Sequence, residues 1–422
     1  MRSLWLVLLC ACSPIQVVLP PVDDVKDGDP PKDTIDDTDT ADTADTTAQP
    51  DTGIESVPGG DGALDDGNSD VLFTDDMIPI FEITISAENA AALGESPYEY
   101  VEASLTYNEI TYGPVGLRTK GENSWRPFDE KSSLKVDFNR YDGGPDRFLG
   151  LKGLTFNAMN EDYSMMHERV AYRMYRAAGV PAVRANHAVI YMNGELYGLF
   201  TIMDTVDDFF LARWFEDASG SMYEQHDGDY TDDYVQDDIY FQLEEGDGDR
   251  SALQAVADAL ESSGPAAIEA AGVHLSWDSF HRYWAVGGVV QNFDAYPFRY
   301  AGDDCHVYHD PTTDQLHYIP HGADETFYYT NNIEDAAGLL SAKCLEVATC
   351  RAAWITHVET ALDILEKEDL AAYAEDVRDQ IADWAAADPE RNYTMKYVEY
   401  YQQSMIDDIN GRRANISKDL GL

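Results

Sequence analysis

"HAVIYMNGELYGLFTIM", residues 187–203, decides how this chain is read. Two apolar-rich runs flank Asn193-Gly194, the pair a two-residue hairpin prefers because both central positions need positive φ. The stretch predicts two antiparallel strands. Just upstream, "SMMHERVAYRMYRAAGV" (164–180) has helical spacing, with Gly179 and Pro181 as its stop. Farther back, "YVEASLTYNEITYGPVGLRTKG" (100–121) reads as a strand pair turning at Asn108-Glu109. "SSLKVDF" (132–138) and "LTFNAM" (154–159) add two more strands, and packed structure is expected from about Ile78.

Downstream the pattern changes. "DDFFLARWF" (207–215) starts a helix, and "DRSALQAVADALESS" (249–263) and "SWDSFHRYWAVGGVVQNF" (276–293) are amphipathic. "CHVYHDPTTDQLHYIP" (305–320) reads as a hairpin turning at Pro311–Asp314, and three helices are expected after Arg351. A strand-rich first half (about 77–215) and a helix-rich second half (216–422) make an α+β class. They also share the outline of a two-lobed protein-kinase-like fold.

The 422 residues are 44 % apolar and include 26 tyrosines, enough for a sizeable core. There are 79 acidic and 28 basic side chains, giving a net charge of −51. That balance argues against a nucleic-acid partner, whose phosphates need a basic footprint, and against an anionic membrane surface. Residues 12–76 are Asp/Thr/Ala-rich and cannot bury enough apolar surface to offset their ordering entropy. They are expected to form a self-repelling tether. The D-x-D-x-D-G loop of a calcium array is absent from them.

"MRSLWLVLLCACS" opens the chain with a basic residue, a short apolar run and Ala11-Cys12. This resembles the lipobox of bacterial lipoproteins, which implies a signal peptide over 1–11 and a lipid on Cys12. The expected location is then the bacterial envelope, at the outer membrane or cell surface. Of Cys305, Cys344 and Cys350, one pair could close in an oxidising compartment, with Cys344 and Cys350 nearest in sequence and the pairing left open, and no CxxC pair marks a structural zinc site.

Two clusters can carry chemistry. In "GLRTKGENSWRPFDEKSSLKVDF" (116–138), Arg118, Lys120, Arg126, Lys131 and Lys135 crowd a hairpin and the strand after it. Cations beside a tight turn suit phosphate oxygens. Neither a Walker A motif nor G-x-G-x-x-G is present. In "QNFDAYPFRYAGDDCHVYHDPTTDQLHYIPHGADETF" (291–327), Asn292 and Asp294 end a helix, Asp303 and Asp304 precede a strand, and Asp324 follows the next. Such oxygens can converge on Mg²⁺ or Mn²⁺. His306, His309, His317 and His321 share the region without the HExxH spacing, and read as strand-edge or pocket residues. A G-x-S-x-G elbow is absent.

These segments resemble the CotH family, the spore-coat-protein-H-like secreted atypical kinases. The resemblance rests on "GLRTKGENSW…KSSLKVDF", "LGLKGLTFNAMNEDYSMMHERVAYRMYRAAGVP" and "AVIYMNGELYGLFTIMD". It extends to Asn292-Phe293-Asp294, to Pro320–Phe327 and to the C-terminal "INGRRANI". It implies ATP, a divalent metal (Mg²⁺ or Mn²⁺) and phosphorylation of hydroxyls on secreted or surface proteins. By the same resemblance Asp294 matches the catalytic-site aspartate and Asp324 the metal aspartate, with Asp304 and Asn292 as further metal oxygens. Lys135 or Lys131 would meet the phosphates with Arg118 and Lys120, and Glu168 would pair with that lysine. Two positions depart from the pattern: His321 stands where tryptophan is usual, and Asp304 where asparagine is. Asp294, Asp304 and Asp324 together would raise one another's pKa unless a cation lay among them.

Overall fold

The computed structural model describes residues 68–121, 124–298, 305–328 and 332–422. The signal segment, Cys12, most of the tether and Asp304 lie outside the described residues. In the strand-rich half the order is β1 (Ile80–Ile85), α1 (Ala87–Glu95), β2 (Val101–Tyr107), β3 (Ile110–Lys120), β4 (Ser133–Asp137) and β5 (Gly153–Asn157). Then come α2 (His167–Ala177), β6 (Ala185–Met192), β7 (Glu195–Asp204) and α3 (Asp208–Trp214). The helix-rich half holds β8 (Met222–Gln225), α4 (Asp232–Val235), β9 (Phe241–Glu245), α5 (Ser251–Leu260), α6 (Pro265–Ala271) and α7 (Trp277–Val290). It continues with β10 (Cys305–Asp310), β11 (Gln315–Pro320), α8 (Leu339–Leu345), α9 (Ala348–Lys367), α10 (Leu370–Ala387) and α11 (Met395–Leu420). The fold is mixed α+β, strand-rich first and helical later.

The first half is a closed barrel with a core separate from that of the second half. Its strand order is β1-β2-β3-β4-β5-β7-β6, and a parallel pairing of β1 with β6 closes it. Closure removes the sheet edges that an open sheet would leave. Both expected turns form: Asn108 and Glu109 have φ of 47° and 65°, and Asn193 and Gly194 have 52° and 87°. Those are the primed-turn conformations that match the twist of antiparallel strands. Alternate residues point inward, so Phe81, Leu105, Leu117, Leu134, Phe156, Phe200 and Ile202 fill a core of their own. The outward residues of β3, β4 and β5 are polar, and they build the site described below.

Packed structure starts earlier than Ile78. Asn68–Phe73 is a 3-10 turn whose Leu72 is fully buried. Arg184 pairs with Asp70, while Asp75 reaches Arg169 and Arg173 of α2. These acids look like tether by composition, and only the distant arginines show that they are part of the domain.

The second core runs from the outer face of β6 and β7 through α2 and α7 to the three C-terminal helices. Trp284 of α7 stacks on Trp354 of α9 at 4.1 Å. Arg412 of α11 is buried and donates to the carbonyls of Gly288 and Val289, satisfying oxygens at the end of α7. Arg413 turns outward to Asp363 and Glu366 of α9. A four-stranded antiparallel sheet, ordered β11-β10-β8-β9, sits in this half. Cys344 and Cys350 form a disulfide, and Cys305 is a buried thiol outside it that donates to Gln225 Oε1. Among the described residues, no helix is long and apolar enough to cross a membrane.

Candidate functional site

A cleft of about 320 Å³ lies between the outer face of the barrel and the small sheet. On the barrel side, strand pairing places Arg118 directly opposite Lys135, and Lys120 is two residues from Arg118 on the same face. All three line the cleft. Burial pushes the Lys135 ammonium down, and the neighbouring charges of Lys120 and Arg118 push it further.

The floor is Asn157, the last residue of β5. Its Oδ1 accepts from the Ser133 hydroxyl at 3.2 Å and from the Met159 amide at 3.0 Å. That turns its amide nitrogen toward two carboxylates, Glu168 Oε1 at 2.9 Å and Asp324 Oδ2 at 3.2 Å. Glu168 is buried in α2, and its Oε2 has no hydrogen-bond partner. Burial raises its pKa to about 7, against the opposing charge of Lys120. The cation acting most strongly on Glu168 is therefore Lys120, where Lys135 or Lys131 was expected.

Asp324 is held by its backbone. Gly322 and Phe327 both take positive φ, 52° and 61°, and the Phe327 amide donates to the Val290 carbonyl at 3.0 Å. His167 donates from Nδ1 to the Asp324 carbonyl at 3.0 Å, and Asp162 accepts from the His167 amide at 2.7 Å. Burial holds the His167 ring below its ordinary pKa, against the opposing charge of Asp162. The loop carrying Asp324 is thus pinned to α2 on one side and to the end of α7 on the other.

The remaining expected residues separate. Lys131 is 1 % exposed, takes the left-handed conformation and gives its ammonium to Asp388 Oδ2 at 2.6 Å. It does not line the cleft, because it serves as a buried tie between barrel and helices. Asn292 is also buried, with its amide on the Tyr175 hydroxyl at 3.2 Å, and it too does not line the cleft. Asp294 is buried as well and does not line the cleft. Its charge raises the pKa of Glu161, which burial raises first and Arg126 opposes, and Glu161 does line the cleft.

Three contributors escaped the sequence reading. Asn157 lies on the outward face of a strand whose Leu154 and Phe156 point inward, so alternation within "LTFNAM" carried a usable signal. Glu161 had no such signal. Glu224 of β8 sits on a four-residue strand in a very acidic chain, and only its pairing with His306 on β10 reveals it.

A barrel wall carrying Arg118, Lys120 and Lys135 thus faces a carboxylate loop fixed on the helical half. The family model described as CotH kinase protein matches residues 117–416, from β3 through α11. The chain belongs to that family. It is also similar to the inner spore coat protein H of Bacillus subtilis (strain 168), at 26 % identity over 84 residues. That match covers 20 % of this chain and 22 % of the relative.

Proposed function

We propose that this chain is a surface-anchored protein kinase of the CotH type. It moves the terminal phosphoryl group of ATP to serine or threonine hydroxyls of secreted or surface proteins. The observation that carries the reading is one cleft holding Arg118, Lys120 and Lys135 on one wall and Asn157, Glu168 and Asp324 on its floor. Its volume falls within the roughly 300–1,000 Å³ typical of small-molecule sites.

Phosphoryl transfer asks mainly for positioning and charge neutralisation. Arg118, Lys120 and Lys135 would take phosphate oxygens, and Asp294 would orient the acceptor hydroxyl. The donor set fits a hard divalent ion: Asp324 offers carboxylate oxygens, and the buried Glu168 Oε2 is an oxygen without a hydrogen bond. Bound Mg²⁺ or Mn²⁺ would neutralise phosphate charge there. The lipid on Cys12 and the acidic tether would hold the domain at the bacterial envelope.

A second reading, a CotH-type adhesion or coat-assembly module with little turnover, is favoured by His321 and Glu224, which pair inside the cleft at 3.3 Å. The two readings separate on one experiment. The full chain with Mn²⁺ or Mg²⁺ and labelled ATP should transfer label to itself or to casein. Asp324→Asn and Lys135→Met should each lower the rate at least tenfold. A chain that neither transfers label nor gains thermal stability with ATP and metal belongs to the second reading. For the anchor, Cys12→Ser should release the protein from the membrane fraction.

A further inference from the structure

At the small-sheet end of the cleft, Glu224, His306 and His321 come together, one potential ligand atom from each lying within 4.8 Å of the other two. Three separate features build the cluster. Strand pairing sets Glu224 of β8 directly across from His306 of β10. His321 follows the end of β11 and turns its ring edge-on to His306, with centroids 4.6 Å apart. The His321 Nε2 lies 3.3 Å from Glu224 Oε1.

We infer that Glu224, His306 and His321 form a binding site for a first-row transition-metal ion of the Zn²⁺ class. His306 is 3 % exposed, and its buried Nδ1 has no hydrogen-bond partner. A buried imidazole nitrogen without a partner costs free energy unless something occupies it, and a metal ion does so. Two imidazoles and one carboxylate are the donor set that borderline ions prefer, whereas Mg²⁺ takes oxygens. Three protein ligands leave a coordination position for water or an anion, and all three residues line the cleft that also holds Lys120 and Lys135. Glu244 lines the same cleft and adds negative charge against those lysines.

This ion is distinct from the one proposed at Asp324, and it does not depend on kinase activity. Spacing singled out His306 and His321 as neighbours but could not add Glu224, which lies on β8, far from them in the chain. A second cluster, His281 with Cys344 and Cys350, is excluded as a thiolate site while the two cysteines are joined.

The test is Co²⁺ and Zn²⁺ titration of the full, tag-free chain after chelator treatment, with free thiols counted to show that the disulfide stays intact. The wild type should take one Co²⁺ per chain with visible ligand-field absorption, and Zn²⁺ should displace it. His321→Ala and Glu224→Gln should each weaken binding by about 100-fold or more, since even losing an outer partner of a ligand costs roughly 10–100-fold. Asp324→Asn should leave the spectrum unchanged. His321 is partly exposed, so its variant should keep the fold, and Glu224→Gln is a nearly isosteric second check. Binding below one equivalent, wild-type affinity in either ligand variant, or a thiolate charge-transfer band would each overturn the inference.

Discussion

Asn157 Nδ2 lies 3.2 Å from Asp324 Oδ2, joining the end of a barrel strand to a loop of the helical half. The same nitrogen holds Glu168 at 2.9 Å, so one amide orders two buried carboxylates. Replacing it with Ala leaves both acids without that donor. Asn157→Ala should cost about 1–3 kcal/mol in urea unfolding and weaken Mn²⁺-dependent ATP binding. A variant with wild-type stability would show that this amide does not set the floor of the cleft.

Glu168 gives the domain a pH dependence whose direction can be stated. Its pKa is raised from 4.5 to about 7, chiefly by burial. The folded state therefore holds a proton that the unfolded state releases between those values. Stability is greatest below pH 4.5 for this group, falls as pH rises to about 7, and is level above. Each pH unit is worth roughly 1.4 kcal/mol, so the upper bound is about 3.5 kcal/mol. Glu168→Gln should be more stable relative to wild type at pH 8 than at pH 4.5 when unfolding is followed without nucleotide or metal. Equal differences at the two pH values would contradict this.

Lys131 and Asp388 are both buried, and Asp388 also accepts from the Leu199 amide at 2.9 Å. Gly198 lets them meet: its φ is 149°, and a Cβ there would lie 2.8 Å from the Lys131 side chain and 2.9 Å from Asp388. Removing one partner strands a charge, which typically costs about 3–5 kcal/mol. Lys131→Met should lose about that much in denaturant unfolding. The double variant Lys131→Met/Asp388→Asn should recover part of it, while phosphate binding in the cleft stays unchanged. A specific loss of ATP affinity in folded Lys131→Met would instead return this lysine to the site.

Gly288 in α7 faces Ile333, and an added Cβ would collide with that side chain. Gly288→Ala should destabilise by about 1–3 kcal/mol through overpacking. Ile333→Ala in the same chain should relieve much of it. Additive losses measured by thermal unfolding would show that the two do not share space.

How much of this could be read beforehand differs by element. The hairpins at Asn108-Glu109 and Asn193-Gly194, helix α2 and the β10–β11 turn all follow from local rules, because turn chemistry and apolar periodicity act over a few residues. Asp324 was singled out through the family motif, and it lines the cleft. Lys131 and Lys135 could not be told apart, since both are lysines around one short strand. The contact that separates them, Asp388, lies in the last third of the chain. Asp70 and Asp75 looked like tether for the same reason: their arginines lie in α2 and just before β6.

By itself, the sequence determined the α+β class, the order of the main strands and helices, the family and the cationic segment facing an acidic one. Tertiary structure alone decided that the strands close into a barrel, that Lys135 and Lys120 rather than Lys131 meet the cleft, and that Glu224 joins His306 and His321. The physical reason is range. Backbone propensity and side-chain alternation are set by near neighbours, whereas strand closure, burial of a charge and convergence of ligands depend on contacts between segments far apart in the chain.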